Sequence, residues 1–218
     1  MSFNSKKQLK QFLAEDIGKG DITSALLSKK NISVKIISRE NAIIAGTKYA
    51  KEIFAIKGCK TKIITKDGSK IKPNQNILEI TGNADKILTC ERTALNIITR
   101  MSGIATQTNQ LVKKIPKKTK LYATRKTAPG LRYFDKEAVE IGGGEKHRLR
   151  LDEMVMIKDN HIAVEQSLMV LIKKTKKKYK KFEVEVENTQ DAVLAAQEGA
   201  TIIMLDNFSP SQIIKTIK

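Results

Sequence analysis

Arginine and histidine crowd into one stretch of this chain, residues 124–161, which reads TRKTAPGLRYFDKEAVEIGGGEKHRLRLDEMVMIKDNHI. It holds both histidines, His147 and His161, four of the seven arginines and the single triple glycine. Lysine outnumbers arginine 34 to 7 along the chain, so this clustering is not background composition. Guanidinium forks match carboxylates and phosphates in bidentate fashion, and imidazole adds a donor that titrates near neutrality. A glycine-punctuated segment with this content suits a pocket for a planar or phosphorylated anion.

Sorted by charge, the candidates are Arg92, Arg125, Lys126, His147, Arg148 and Lys158, set against Glu185 and Asp206. Five or six cations fit a substrate with several negative groups. The two carboxylates fit Mg²⁺ carrying a pyrophosphate, or ribose hydroxyls, or a cationic sugar-like transition state. Cations for a polyanion with carboxylates for a developing oxocarbenium are what phosphoribosyl transfer requires, because charge of both signs appears as the anomeric bond breaks. Plainer readings stand beside these. Arg92 could pair with a charge on its own or a neighbouring helix instead of meeting a ligand or a second subunit. His161 reads as structural, fixing a strand-end loop. Gly142–Gly144 could be a helix stop, and Glu183, Glu185 and Glu187 only a solvated strand face.

The elements that must position these groups follow from periodicity. Residues 6–15 have the spacing of a short amphipathic helix, followed by turn chemistry at 16–24. Strands are predicted at 33–38, 41–46, 61–65 and 77–81, with a helix at 47–57 capped by Thr47. Residues 84–114 form the longest helical pattern, with Ile87, Ala94, Ile98, Met101 and Ala105 on one stripe and Asn83 as cap. Beyond residue 120 the pattern alternates: strands at 120–124, 153–157, 182–187 and 201–205, helices at 135–141, 164–178 and 190–198, and Ser209-Pro210 opening another helix. Such alternation argues for a parallel α/β sheet or barrel. The strands end in Arg125/Lys126, Lys158, Glu185/Glu187 and Asp206, the edge where such folds place their chemistry. Thus residues 1–106 read as an α/β sandwich domain with a long helix, and residues 107–218 as an α/β-barrel domain.

Composition narrows the field. The chain has 218 residues, 40% hydrophobic and 29% charged, and a net charge of +18. The densest basic run, Lys173 to Lys181, contains one aromatic and no stacking motif, so it reads as a solvated helix end rather than a nucleic-acid patch. No apolar run approaches the ~20 residues of a membrane span, and the N-terminus lacks a signal-peptide pattern. Cys59 and Cys90 fit no metal or redox spacing, which places the protein in a reducing cytoplasm. No dinucleotide fingerprint, P-loop or hydrolase triad is present.

Longer motifs resolve the choice. ERTALN (91–96) with SGIAT (102–106), TRKTAPGLR (124–132), GGGEKHR (142–148), IKDNHI (157–162), EVEVE (183–187) and IIMLDNFSP (202–210) resemble, in order and spacing, quinolinate phosphoribosyltransferase, also called nicotinate-nucleotide pyrophosphorylase. EDIGKGDITS (15–24) fits as well. The resemblance implies an N-terminal α+β sandwich followed by a parallel α/β barrel, here incomplete, since the family continues past LDNFSP into phosphate-binding loops. It implies a pentosyltransferase of NAD biosynthesis, using phosphoribosyl pyrophosphate and Mg²⁺ to convert quinolinate to nicotinate mononucleotide, CO₂ and pyrophosphate. Arg125, His147 and Arg148 would face the two substrate carboxylates. Lys126 and Lys158 would sit nearer the reacting centre and phosphates. Glu185 and Asp206 would face the ribose and Mg²⁺, with Glu187 as the second choice for Glu185. Arg92 would reach into the neighbouring subunit of a homodimer. Two alternatives are kept: a basic nucleic-acid-binding or scaffold protein that has lost catalysis, and the molybdenum-transport-associated paralogue, against which the complete KHR and IKDNH segments argue.

Overall fold

Leu9 and Leu13, one helical turn apart, give the first helix, α1 (Ser5–Ile17), its buried side, and the Asn4 side chain caps it by accepting from the Lys7 amide. The computed structural model describes residues 4–218, in two units that divide between Leu149 and Arg150.

The first unit continues through β1 (Asn31–Ile37), β2 (Ala42–Ile43), α2 (Thr47–Ile56), β3 (Lys60–Ile63), β4 (Lys70–Ile71), β5 (Asn76–Asn83), α3 (Ala84–Val112) and α4 (Arg132–Ile141). Its main sheet is antiparallel with order β1-β5-β3, and β2 pairs with β4. Ile77, Leu78 and Ile80 of the central strand are buried against Ile53 and Phe54 of α2 and the predicted stripe of α3, all five members of which are buried. Helix α4 adds Phe134 and Ala138 to the same core, with the Phe134 ring edge-on to Tyr49 at 4.9 Å. That packing keeps α4 with the first compact unit, which ends at Leu149, whereas the sequence pattern places the domain boundary at 106/107.

In the second unit β6 (Val155–Ile157), β7 (Phe182–Val186) and β8 (Ile202–Leu205) form a parallel sheet in the order β6-β7-β8. Helices α5 (Asp159–Glu165), α6 (Leu168–Lys176), α7 (Thr189–Gln197) and α8 (Pro210–Thr216) alternate with them. Phe182, Val184 and Val186 pack with Leu168, Ile172, Ala192 and Ala195. Strand alternation therefore turns Glu183 and Glu185 to the opposite face.

Four expectations are corrected. Residues 120–124 make no strand, only an isolated parallel bridge between Tyr122 and Glu145. The 41–46 strand shrinks to two residues, because Ala45 is held instead by Ser102 of α3, whose hydroxyl accepts from its amide at 3.0 Å. Thr47 lies inside α2, after Gly46 as cap, and its hydroxyl donates to Asp67. The predicted 164–178 helix is two helices, broken where Gln166 takes a left-handed conformation and Ser167 caps α6.

The triple glycine does more than stop α4. A Cβ on Gly142 would meet the Ala105 carbonyl oxygen at 2.5 Å, and one on Gly144 would lie 3.0 Å from the Leu121 carbonyl. Gly143, at φ +99°, makes the turn between those two close approaches. We expect Gly142→Ala to lower unfolding free energy by about 1–3 kcal/mol, since the obstructing atom is helix backbone. Urea denaturation measures this, and an unchanged midpoint would show that α3 and α4 do not meet as described.

Candidate active site

The cations of the 124–148 window are positioned by that bridge. The Ala123 amide donates to the Glu145 carbonyl and the Glu145 amide to the Leu121 carbonyl, both at 2.8 Å. Two segments then run side by side, one ending in Arg125-Lys126 and the other in His147-Arg148. The first is folded tightly: Thr124 Oγ1 accepts from the Lys126 amide, and the Arg125 carbonyl accepts from the Thr127 amide. Lys126 is exposed, and Arg125 is half-buried with an Nε that is shielded from solvent and has no hydrogen-bond partner. His147 stands edge-on to Tyr122, with ring centres 6.1 Å apart, and Arg148 is buried.

The second unit gathers the other predicted groups at the C-terminal ends of its strands. Lys158 follows β6, and its ammonium donates to Glu185 Oε2 on β7 at 2.5 Å. Asp206 follows β8; its amide donates to the Val186 carbonyl at 2.9 Å, which places it beside the same strand end. Glu187 lies beyond β7 and is exposed. His161 has the structural task read from its position, since its Nδ1 accepts from the Lys158 amide at 3.0 Å. That bond secures the backbone that carries Lys158. Arg92 is exposed on α3, as is Glu91.

Sequence reasoning missed several charged residues that hold this arrangement. Arg100 on α3 grips Asp135 on α4 in bidentate fashion, at 2.7 and 2.9 Å, and that bonding raises the pKa of the guanidinium. Glu137 accepts from the Tyr49 hydroxyl and pairs with Lys48. Burial, with Glu137 beside it, pushes the Tyr49 hydroxyl far above its ordinary pKa. Arg132 donates to Thr127 Oγ1 at 3.3 Å and to the Leu149 carbonyl at 3.2 Å, tying the first cationic segment to the end of the second. The available signal was Asp135-Lys136-Glu137 itself, a charged triplet between Phe134 and Ala138.

Other features stand apart. A cavity of about 680 Å³ lies between β1 and α3, lined by Val34, Ile36, Ile77 and Leu88 among others, and it includes none of the predicted site residues. The lysines of the basic run at 173–181 are exposed, and two of them, Lys174 and Lys176, pair with Glu165 and Glu198. That is the behaviour of a solvated helix end. Burial pushes the Cys90 thiol up to about 12, consistent with a packing role. Among the described residues no helix is long and apolar enough to cross a membrane.

The second unit is built of parallel βα units with a lysine and two carboxylates at their strand ends, and the first unit carries two paired cationic segments. That is the class of an α/β protein with its polar groups at strand ends. Residues 21–102 match the family described as quinolinate phosphoribosyl transferase, N-terminal domain, and residues 104–218 match its C-terminal domain. A probable nicotinate-nucleotide pyrophosphorylase (carboxylating) from Archaeoglobus fulgidus is 43% identical over 202 residues, covering 91% of this chain and 78% of the relative. One from Methanocaldococcus jannaschii is 43% identical over 220 residues, covering 97% and 77%. The crystal structure of a nicotinate-nucleotide pyrophosphorylase from Ehrlichia chaffeensis superposes with a TM-score of 0.94 at 36% identity, covering all of this chain and 82% of that one. The chain belongs to the quinolinate phosphoribosyltransferase family.

The Arg100–Asp135 pair yields a test of the scaffold. Asp135→Ala should cost about 1–3 kcal/mol, because it leaves a charge-assisted pair without its acceptor. A chemical-denaturation midpoint equal to that of the unaltered protein would mean the pair contributes nothing.

Proposed function

We propose that this chain transfers the phosphoribosyl group of phosphoribosyl pyrophosphate to the ring nitrogen of quinolinate, releasing pyrophosphate and then CO₂ to give nicotinate mononucleotide. The observation that carries the residue assignment is the orphaned Nε of Arg125 beside His147 and Arg148. Leaving a buried donor unpaired costs about 1–3 kcal/mol, and a substrate carboxylate removes that cost.

In this reading Arg125, His147 and Arg148 bind the two carboxylates and orient the pyridine so that its nitrogen faces the anomeric carbon. Lys126 and Lys158 stabilise charge at the reacting centre and on the departing pyrophosphate. Glu185 and Asp206 face the ribose, where positive charge develops as the anomeric bond lengthens. Ribosylation makes the ring nitrogen cationic, and that charge stabilises the carbanion left when the adjacent carboxylate departs. The protein mainly has to position and neutralise.

A Mg²⁺ ion arriving with the pyrophosphate fits this donor set. Two carboxylates at neighbouring strand ends suit an ion that keeps waters and shares substrate phosphates, and Glu185 and Asp206 would hold it. When bound, it neutralises the leaving pyrophosphate. The setting is cytoplasmic, in keeping with two free, buried cysteines. Two copies form a dimer in which Arg92, exposed on α3, serves the neighbour's site.

Labelled CO₂ release from quinolinate, with phosphoribosyl pyrophosphate and Mg²⁺, tests the assignment. Lys126→Ala and Glu185→Ala should each abolish release while leaving circular dichroism and thermal midpoint close to those of the unaltered protein. Full turnover in both would sink the assignment. The shared role of Arg92 has its own check. Arg92→Ala and Lys126→Ala proteins, each inactive alone, should regain activity when unfolded and refolded together, because mixed dimers hold one intact site. No recovery, with mixed dimers demonstrated, overturns the shared site.

A further inference from the structure

Lys136 is wholly buried, at 0% exposure, in a helix otherwise occupied with holding the core. Its ammonium donates to the Lys146 carbonyl at 2.5 Å and to the Arg148 carbonyl at 2.7 Å. Those carbonyls belong to the residues on either side of His147. His147 itself sits at φ +53°, a left-handed conformation that few non-glycine residues adopt. Two carbonyls that converge on one ammonium from alternate residues impose a bend on the residue between them. The burial of a lysine without exposure to water is expensive, and it persists where the charge has defined acceptors.

We infer that Lys136 is a positioning residue for substrate binding: it clamps the backbone at 146 and 148, and so aims the His147 imidazole and the Arg148 guanidinium. The inference rests on the proposed function, since it assumes that those two side chains receive the quinolinate carboxylates. Lys136 touches no substrate in this scheme. It acts through backbone, by way of the Lys146 and Arg148 carbonyls. The left-handed turn at His147 costs conformational energy that a free loop would release by rearranging. Without the clamp, the loop relaxes and the dicarboxylate loses two aligned donors, while groups elsewhere in the reaction are untouched.

Lys136→Met keeps the length and apolar stem and removes the ammonium. The expected result is a rise in quinolinate KM of at least about tenfold with kcat within about threefold and the KM for phosphoribosyl pyrophosphate unchanged. A role in stability alone would lower the amount of active enzyme without moving either KM. A folded Lys136→Met protein with the quinolinate KM of the unaltered enzyme overturns the inference. Lys136→Gln, which retains one N–H donor, should fall between the two, and an unchanged KM there overturns it equally. Hydrogen exchange on the unaltered protein decides the matter even where neither variant folds. Amides 146–149 should exchange slowly, and exchange at the rate of a free chain overturns the clamp. Absence of CO₂ release from the unaltered protein counts instead against the proposed reaction; calorimetric affinity for quinolinate then replaces KM in the same comparison.

Discussion

A buried ammonium must have acceptors, and the Lys146 and Arg148 carbonyls supply them to Lys136. Helix α4 divides three consecutive charges among three directions. Asp135 turns to Arg100 on α3, Glu137 turns to Tyr49 and Lys48 on α2, and Lys136 turns to the 146–148 backbone. Successive helical residues point about 100° apart, so a triplet reaches three partners without strain. The carboxylates thus fasten helices together while neutral carbonyls receive the buried ammonium.

The second unit meets the same problem with a different solution. Lys158 and Glu185 pair directly, across neighbouring parallel strands, with side chains 33% and 14% exposed. A pair so close to the strand ends keeps part of its solvation, which limits the cost of bringing two charges together. Its geometry is set by backbone. His161 anchors the Lys158 amide, and the helices packed on Phe182, Val184 and Val186 leave Glu185 no other face to occupy.

Legibility in the sequence followed the range of the interaction. The stripe of α3, the alternation of β7 and the Ser209 cap of α8 depend on neighbours a few positions away, and each is where periodicity or cap chemistry put it. Residues 120–124 failed as a strand because an apolar-to-polar alternation has no ladder to join there; only Tyr122 finds a partner, at Glu145. The helical pattern of 164–178 concealed a break because Gln166 adopts a left-handed conformation that its residue type does not advertise. Arg125, Lys126, His147 and Arg148 were legible as a group because arginine and histidine are rare in a lysine-rich chain. Asp135, Lys136 and Glu137 were not, since their partners lie at Arg100, Tyr49 and the 146–148 backbone, and no local pattern records a long-range acceptor.

The glycines join these two kinds of information. Gly142 permits contact with the Ala105 carbonyl on α3, Gly143 turns the chain, and Gly144 passes beneath Leu121. Glu145 then reaches the bridge with Tyr122, and the next three residues are Lys146, His147 and Arg148. A side chain at either outer glycine would press α4 away from α3 or the bridge away from Leu121, since its Cβ would sit 2.5 Å from the Ala105 oxygen or 3.0 Å from the Leu121 oxygen. The error would be transmitted directly, because no residue between Gly144 and His147 is free to absorb it: Glu145 is pinned by two backbone bonds and Lys146 by the Lys136 ammonium. Small residues at 142–144 are therefore as much part of the proposed anion-binding geometry as the cations that follow them, although they carry no chemistry of their own.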